Sequence, residues 1–130
     1  MIEEYKHITI KDNKLEFGNG WGDGLEGLMN MRHEDIIGAT ESMLIDGYLV
    51  YILNDDFVEQ QQLYVSIDKR QKGYATKLFK AFEKKVKETN CKKIIIKVVF
   101  NEVDVNPFQD FLIKLKYKED KQNCIWYKNL

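Results

Sequence analysis

The residues best suited to chemistry in this 130-residue chain fall at one junction, Leu63-Tyr64-Val65-Ser66-Ile67-Asp68-Lys69-Arg70-Gln71-Lys72-Gly73-Tyr74-Ala75-Thr76. A strand ends there, a short basic loop turns, and a long helix begins at about Gly73. The first amides of a helix have no intrahelical acceptors, and the aligned peptide dipoles add roughly half a positive charge. Gly73 and Ala75 are small, so an anionic group can approach the backbone closely. Lys69, Arg70 and Lys72 supply further positive charge. The chemistry these residues suit is that of a pyrophosphate cradle. A second glycine-rich stretch, Gly18, Gly20, Gly22, Gly24 and Gly27, lacks the Gly-Lys-Ser/Thr ending that holds a nucleoside triphosphate. It reads as a connection that could serve as lid, linker or interface, with Trp21 as a lid or an anchor on the core. Cys91 and Cys124 form no metal-ligand or disulfide pattern, and neither His7 nor His33 stands beside a nucleophile.

The elements that must position this junction follow from the hydrophobic pattern. Residues 7–17 read as a short hairpin or a single frayed strand around Asp12-Asn13. Ile36, Ile37, Thr40, Met43 and Leu44 recur at helical spacing over 34–44, and Asp46-Gly47 ends that helix. Tyr48–Leu53 and 57–67 are two strands joined by Asn54-Asp55-Asp56, an antiparallel hairpin. Ala75, Leu78, Phe79, Phe82 and Val86 then form the apolar stripe of an amphipathic helix that closes at Thr89-Asn90. The β-branched run at 93–100 is a central strand, so strand, helix and strand make a βαβ unit with 57–67 and 93–100 parallel. A last helix runs from Pro107 to Lys116, with proline in its first turn, and Cys124–Tyr127 is a terminal strand. The expected fold is mixed α/β (α+β), one domain over 1–130, with a central mixed sheet and helices on both faces.

The pattern Arg70-x-x-Gly73-x-Ala75 after Leu63-x-Val65 resembles the acetyl-CoA-binding motif of the GNAT superfamily of N-acetyltransferases. That motif is R/Q-x-x-G-x-G/A at a helix start, preceded by the strand that holds the pantetheine arm. Strand, amphipathic helix and β-branched strand follow in the superfamily's order. The tail Phe111-Leu112-Ile113-Lys114-Leu115-Lys116-Tyr117-Lys118-Glu119 resembles its F-Y-E-K-L-G-F-K-E segment. The resemblance covers 48–130 as a CoA-binding core and leaves 1–47 as a divergent acceptor-side region. It implies acetyl-CoA as co-substrate, no metal, and cofactor contacts at Leu63, Val65, Arg70, Gln71, Lys72, Gly73, Tyr74, Ala75, Thr76 and Asn106. Asn106 has a second reading as the cap of the last helix. The implied reaction is direct attack of a neutral primary amine on the thioester, with the developing oxyanion held by a backbone N–H near Val65.

Two catalytic positions stand out in that comparison. Glu59 lies four residues before Leu63, and strand alternation puts both on one face. Its offset resembles the glutamate base of histone-acetylating members; otherwise it is an exposed strand-end glutamate. The family's proton-donating tyrosine on the last helix falls at Leu112, or at Ile113 if the loop is one residue shorter, and neither can donate a proton. Members of the superfamily commonly pair through edge strands or helices, which admits a homodimer.

Charge and composition bound the function. Twenty Lys+Arg against twenty-one Asp+Glu give a net charge of −1. Residues 1–62 hold four basic and thirteen acidic side chains, a balance of −9, whereas 69–97 hold eleven Lys/Arg against Glu83 and Glu88, a balance of +9. The basic segment surrounds the proposed cradle; the acidic half favours a cationic amine acceptor such as a polyamine, aminoglycoside, lysine side chain or basic peptide. The near-neutral total and the lack of interleaved aromatics weigh against nucleic acid. No apolar run reaches the roughly 20 residues of a membrane span, and no leader pattern is visible at the start, so the expected location is cytoplasmic. The alternative to a transferase is a module that keeps the acyl-CoA fold for binding or protein interaction without turnover.

Overall fold

The computed structural model describes residues 4–19, 45–66, 69, 72–97 and 105–130, with backbone alone for Gln62, Lys97 and 105–108. Within them lie β1 (Glu4–Lys11), β2 (Lys14–Asn19), β3 (Gly47–Leu53), β4 (Phe57–Val65), α1 (Tyr74–Lys87), β5 (Lys93–Lys97), α2 (Val105–Lys114), β6 (Lys118–Asp120) and β7 (Ile125–Asn129). The seven strands form one mixed sheet in the order β2-β1-β3-β4-β5-β7-β6. The expected helix over 34–44, Trp21, His33 and Gly20–Gly27 lie outside the described residues.

The first segment is a full hairpin. Asp12 and Asn13 both take positive φ, 49° and 64°, the two-residue turn whose twist suits antiparallel strands. β3 and β4 pair antiparallel, and β4 and β5 pair parallel across α1, as the βαβ pattern requires. β5 then takes β7 antiparallel on its other side. The short strand β6, which the sequence pattern did not reveal, pairs with β7. Its three residues Lys-Glu-Asp carry no apolar alternation.

The apolar stripe of α1 packs as its spacing predicts. Leu78, Phe79, Phe82 and Val86 are fully buried with Leu49, Tyr51, Val58, Ile94 and Ile96. Phe79 meets Phe111 edge-on at 5.2 Å and Tyr117 at 6.1 Å, so α1 and α2 share one face of the sheet. On the other face of β3, Tyr48, Val50 and Ile52 are buried as well. β3 is therefore covered on both sides, as a central strand should be.

Two helix ends differ from expectation. α2 starts at Val105, so Asn106 and Pro107 lie within its first turn and Asn106 is not the flanking cap residue. At its other end Tyr117 N–H donates to Leu112 O at 3.0 Å and Lys116 N–H to Ile113 O at 3.0 Å, with Lys116 at φ 73°. This is a left-handed helix stop occupied by lysine where glycine is the unstrained choice. Beside it, Lys128 Nζ reaches Glu83 Oε2 at 2.7 Å and Leu115 O at 2.9 Å, which joins β7 to α1 and to the end of α2. Glu83 is buried on a helix whose other charges are solvated, and nothing in its local sequence announced that pairing.

Candidate functional site

Three devices position the junction between β4 and α1. The first is a clasp at Asp46. Its N–H donates to Ile10 O at 2.8 Å, its carbonyl accepts from Ser66 N–H at 2.8 Å, and its carboxylate accepts from Asp12 N–H at 2.8 Å. One residue thus ties the end of β1, the β1–β2 turn and the residue following β4. Asp46-Gly47 leads into β3; the helix that it is expected to end lies outside the described residues. Gly47 is required by packing, because a Cβ there would stand 2.8 Å from the Tyr64 carbonyl oxygen.

The second device is a β-bulge. Opposite β3, Val50 pairs with Gln62 but Tyr51 pairs with Gln60, so Gln61 is an extra residue on β4. An inserted residue reverses the side-chain alternation beyond it. Glu59 lies across from Ile52 and Leu63 across from Leu49. Those partners are three residues apart on a regular stretch of β3, so Glu59 and Leu63 face opposite sides of the sheet. The period-two expectation that they share a face is thereby corrected. Glu59, half-buried, shares its face with Ile52, Tyr64 and Tyr48; the Tyr48 and Tyr64 rings lie 5.8 Å apart. Leu63 and Val65 pack instead toward the core under α1.

The bulge follows directly on the described parallel pairing. The described pairing of β4 with β5 stops at Gln60↔Ile96, while β4 itself runs on to Val65. Beyond Gln60, β4 continues toward its carboxyl end and leads into α1. In open sheets with parallel strands, that end, next to the following helix, is where ligands bind.

The third device is the start of α1. Gly73 holds φ 84° immediately before Tyr74, and its carbonyl accepts from Lys77 N–H at 3.0 Å. A Cβ built on Gly73 would meet no heavy atom within 4 Å, so the space above the first turn is open. No acidic side chain occupies that turn. Lys72 and Gly73 are exposed, Tyr74 packs partly against the core, and Ala75 and Thr76 are half-buried in the first turn. Lys69 N–H donates to Ser66 O at 2.9 Å, which turns the chain out of β4. Arg70, Gln71 and Ile67 lie outside the described residues, and of Asn106 the backbone alone is placed. The structure thus brings Leu63, Val65, Lys72, Gly73, Tyr74, Ala75 and Thr76 to one end of the sheet.

The two positions where a proton donor was sought are both unsuitable. Leu112 is fully buried against the aromatic cluster and Ile113 is 56% exposed. Tyr117 is a core residue; burial, with the Glu83 charge adding to it, pushes its hydroxyl above the ordinary tyrosine value. Cys91 is buried with its thiol donating to Asn54 O at 3.4 Å, and Cys124 is exposed; both are free thiols. Among the described residues no group of His, Cys, Asp and Glu is arranged to hold a metal, and no helix is long and apolar enough to cross a membrane.

Comparison with known proteins agrees with this geometry. Residues 10–108 match the model of the acetyltransferase (GNAT) family. A search of curated proteins gives no match. Among solved structures, an acetyltransferase from Bacillus cereus ATCC 14579 superposes with a TM-score of 0.62 at 16% identity, covering 98% of this chain and 74% of that one. A GNAT-family acetyltransferase from Staphylococcus aureus Mu50 gives 0.57 at 19% identity, over 66% of this chain and 60% of its own. An aminoglycoside 6′-N-acetyltransferase complexed with coenzyme A gives 0.51 at 17% identity, over 82% and 87%. The chain spans less than two thirds of the S. aureus protein's length, and at these identities the likeness is one of fold. The family match runs from β1 through the bulged strand β4 and α1 into the first turn of α2, and this chain belongs to the GNAT acetyltransferase family.

Proposed function

We propose that this protein transfers an acetyl group from acetyl-CoA to a primary amine by direct attack. The observation that carries the reading is the coincidence, at one end of the sheet, of an open helix N-terminus at Gly73 with the carboxyl end of β4, the strand that leads into it. The pyrophosphate sits on the first amides of α1, among Arg70, Gln71, Lys72, Gly73, Tyr74, Ala75 and Thr76. The pantetheine arm lies along Leu63 to Val65, and Asn106 approaches it from the first turn of α2. Glu59, on the sheet face away from α1, takes the ammonium proton directly or through a water. The neutral nitrogen then bonds to the thioester carbon, a backbone N–H near Val65 steadies the oxyanion, the C–S bond breaks, and the second proton of the nitrogen passes to solvent. With Leu112 and Ile113 in the place of the usual tyrosine, the CoA thiolate leaves without a donor on α2 and is protonated by solvent. A thiol is acidic enough for that near neutral pH. The acidic balance of residues 1–62 supports a cationic acceptor.

A second reading, a module that binds acyl-CoA without turnover, is favoured by the buried Leu112 alone. One experiment separates them: calorimetric titration with acetyl-CoA, then thiol release in the same buffer with spermine, a lysine peptide and an aminoglycoside. Binding with amine-dependent release is the expected result. Binding without release selects the module, and no binding overturns both.

A further inference from the structure

Away from this junction, α1 and the β1–β2 hairpin enclose a groove of about 530 Å³ lined by Leu15, Phe17, Ala81 and the lysines Lys77, Lys80, Lys84 and Lys85, with Glu88 at its end. Its floor is apolar: Leu15 and Phe17 come from β2, which is the edge strand among the described residues, and Phe17 is 46% exposed. Two of the lysines hold the walls together. Lys77 Nζ donates to Asn13 Oδ1 in the hairpin turn, and Lys85 Nζ sits 4.7 Å from the Phe17 ring centre. The other two, Lys80 and Lys84, are exposed and make no ion pair or hydrogen bond with described residues. They stand one helical turn apart on one side of α1.

This site is separate from the phosphate cradle. At 1.5 Å per residue, Lys80 to Lys85 lie about 9 to 16 Å along the helix axis from its first residue, beyond the reach of phosphates bound at the N-terminal amides. The charge of this stretch is therefore not explained by the acyl donor. An apolar floor bordered by two unpaired ammonium groups is complementary to a segment that carries both carboxylates and an apolar anchor. Nucleic acid fits less well, because the face of Phe17 is capped by Lys85 and is not offered for base stacking.

We infer that the groove between β2 and α1 docks an acidic peptide segment of a partner protein, its apolar side chain seated on Leu15 and Phe17 and its carboxylates on Lys80 and Lys84. The test uses fluorescence anisotropy of a short fluorescein-labelled peptide that alternates Glu with Leu and Phe, against polyglutamate of equal length and a DNA duplex. Variants K80E/K84E and Phe17→Ser change exposed positions, and their acetyl-CoA affinity, expected to be unchanged, reports that the fold is intact. The expected result is micromolar binding of the mixed peptide, weakened about tenfold or more by each variant. Equal binding of polyglutamate, or tighter binding of the duplex, overturns the inference. So does a dimer in sedimentation that K80E/K84E converts to monomer, since the groove then holds a second copy. Peptide binding that is absent, or indifferent to both variants, overturns it too.

Discussion

Glu59 and Leu63 are four residues apart on β4 and face opposite sides of the sheet, because Gln61 is inserted between them. The bulge separates two tasks along one strand. Beyond it, Leu63 and Val65 anchor the strand to the core. Before it, Glu59 is turned to the other face, the one that also carries Tyr48 and Tyr64. The Glu59→Gln variant is expected to lower kcat by about a hundredfold across the pH–rate profile. Its calorimetric affinity for acetyl-CoA should remain that of the parent. An unchanged profile would remove Glu59 from the mechanism.

At Gly73 the positive φ and the open space above the backbone separate strain from steric exclusion. A methyl group there clashes with no described residue, so Gly73→Ala should cost only the left-handed backbone penalty, about 1 kcal/mol in urea unfolding. It does, however, stand where the anion must approach, and acetyl-CoA affinity should fall about tenfold. A stability loss with full affinity would place the phosphates elsewhere.

Lys116 presents the reverse case, a side chain at φ 73° in a helix stop that glycine fits without strain. Lys116→Gly should raise stability by about 0.5–1 kcal/mol, the relief of left-handed strain exceeding the greater freedom of the unfolded chain. Urea midpoints of the two proteins measure it. The substitution lies at the α2–β6 turn, so acetyl-CoA binding should not change.

Stability should also fall at alkaline pH, and the sign is set by tyrosine burial. Tyr51 is raised from 10.0 to about 12, first by burial and then by the Glu88 charge. Tyr117 is raised by burial and Glu83. Both stay protonated in the folded chain while the unfolded chain ionises, so their contribution is whole below pH 10 and is lost as the pH climbs toward 12. Each should cost about 1.4 kcal/mol per pH unit in that window. Urea midpoints taken across it, with tyrosinate absorbance alongside, test this, and Tyr51→Phe should remove about one tyrosine's share of the slope.

Much of the architecture was legible from local pattern. A continuous apolar run at 48–53 and β-branching in 93–100 marked the strands, the spacing of Leu78, Phe79, Phe82 and Val86 marked α1, and the intervening length required a parallel pair. The open cradle at Gly73 could be read because a helix start, small residues and flanking cations are all local features. Glu59-Gln60-Gln61-Gln62 could not be read in the same way. Four polar residues in a row carry no alternation, so nothing within β4 tells which face each one takes. The register comes from β3, through Ile52, Tyr51, Val50 and Leu49, and the insertion at Gln61 exists only in that pairing. The Asp46 clasp, the Glu83–Lys128 pair and the meeting of Phe79 with Phe111 have the same origin, each joining residues far apart in the chain. The sequence alone therefore determined most of the described elements and the small-residue start of α1 at Gly73, since short-range sterics and hydrophobic periodicity act within each segment. Tertiary structure decided which way Glu59 faces, because cross-strand hydrogen bonding and burial act between segments and override the count along one strand.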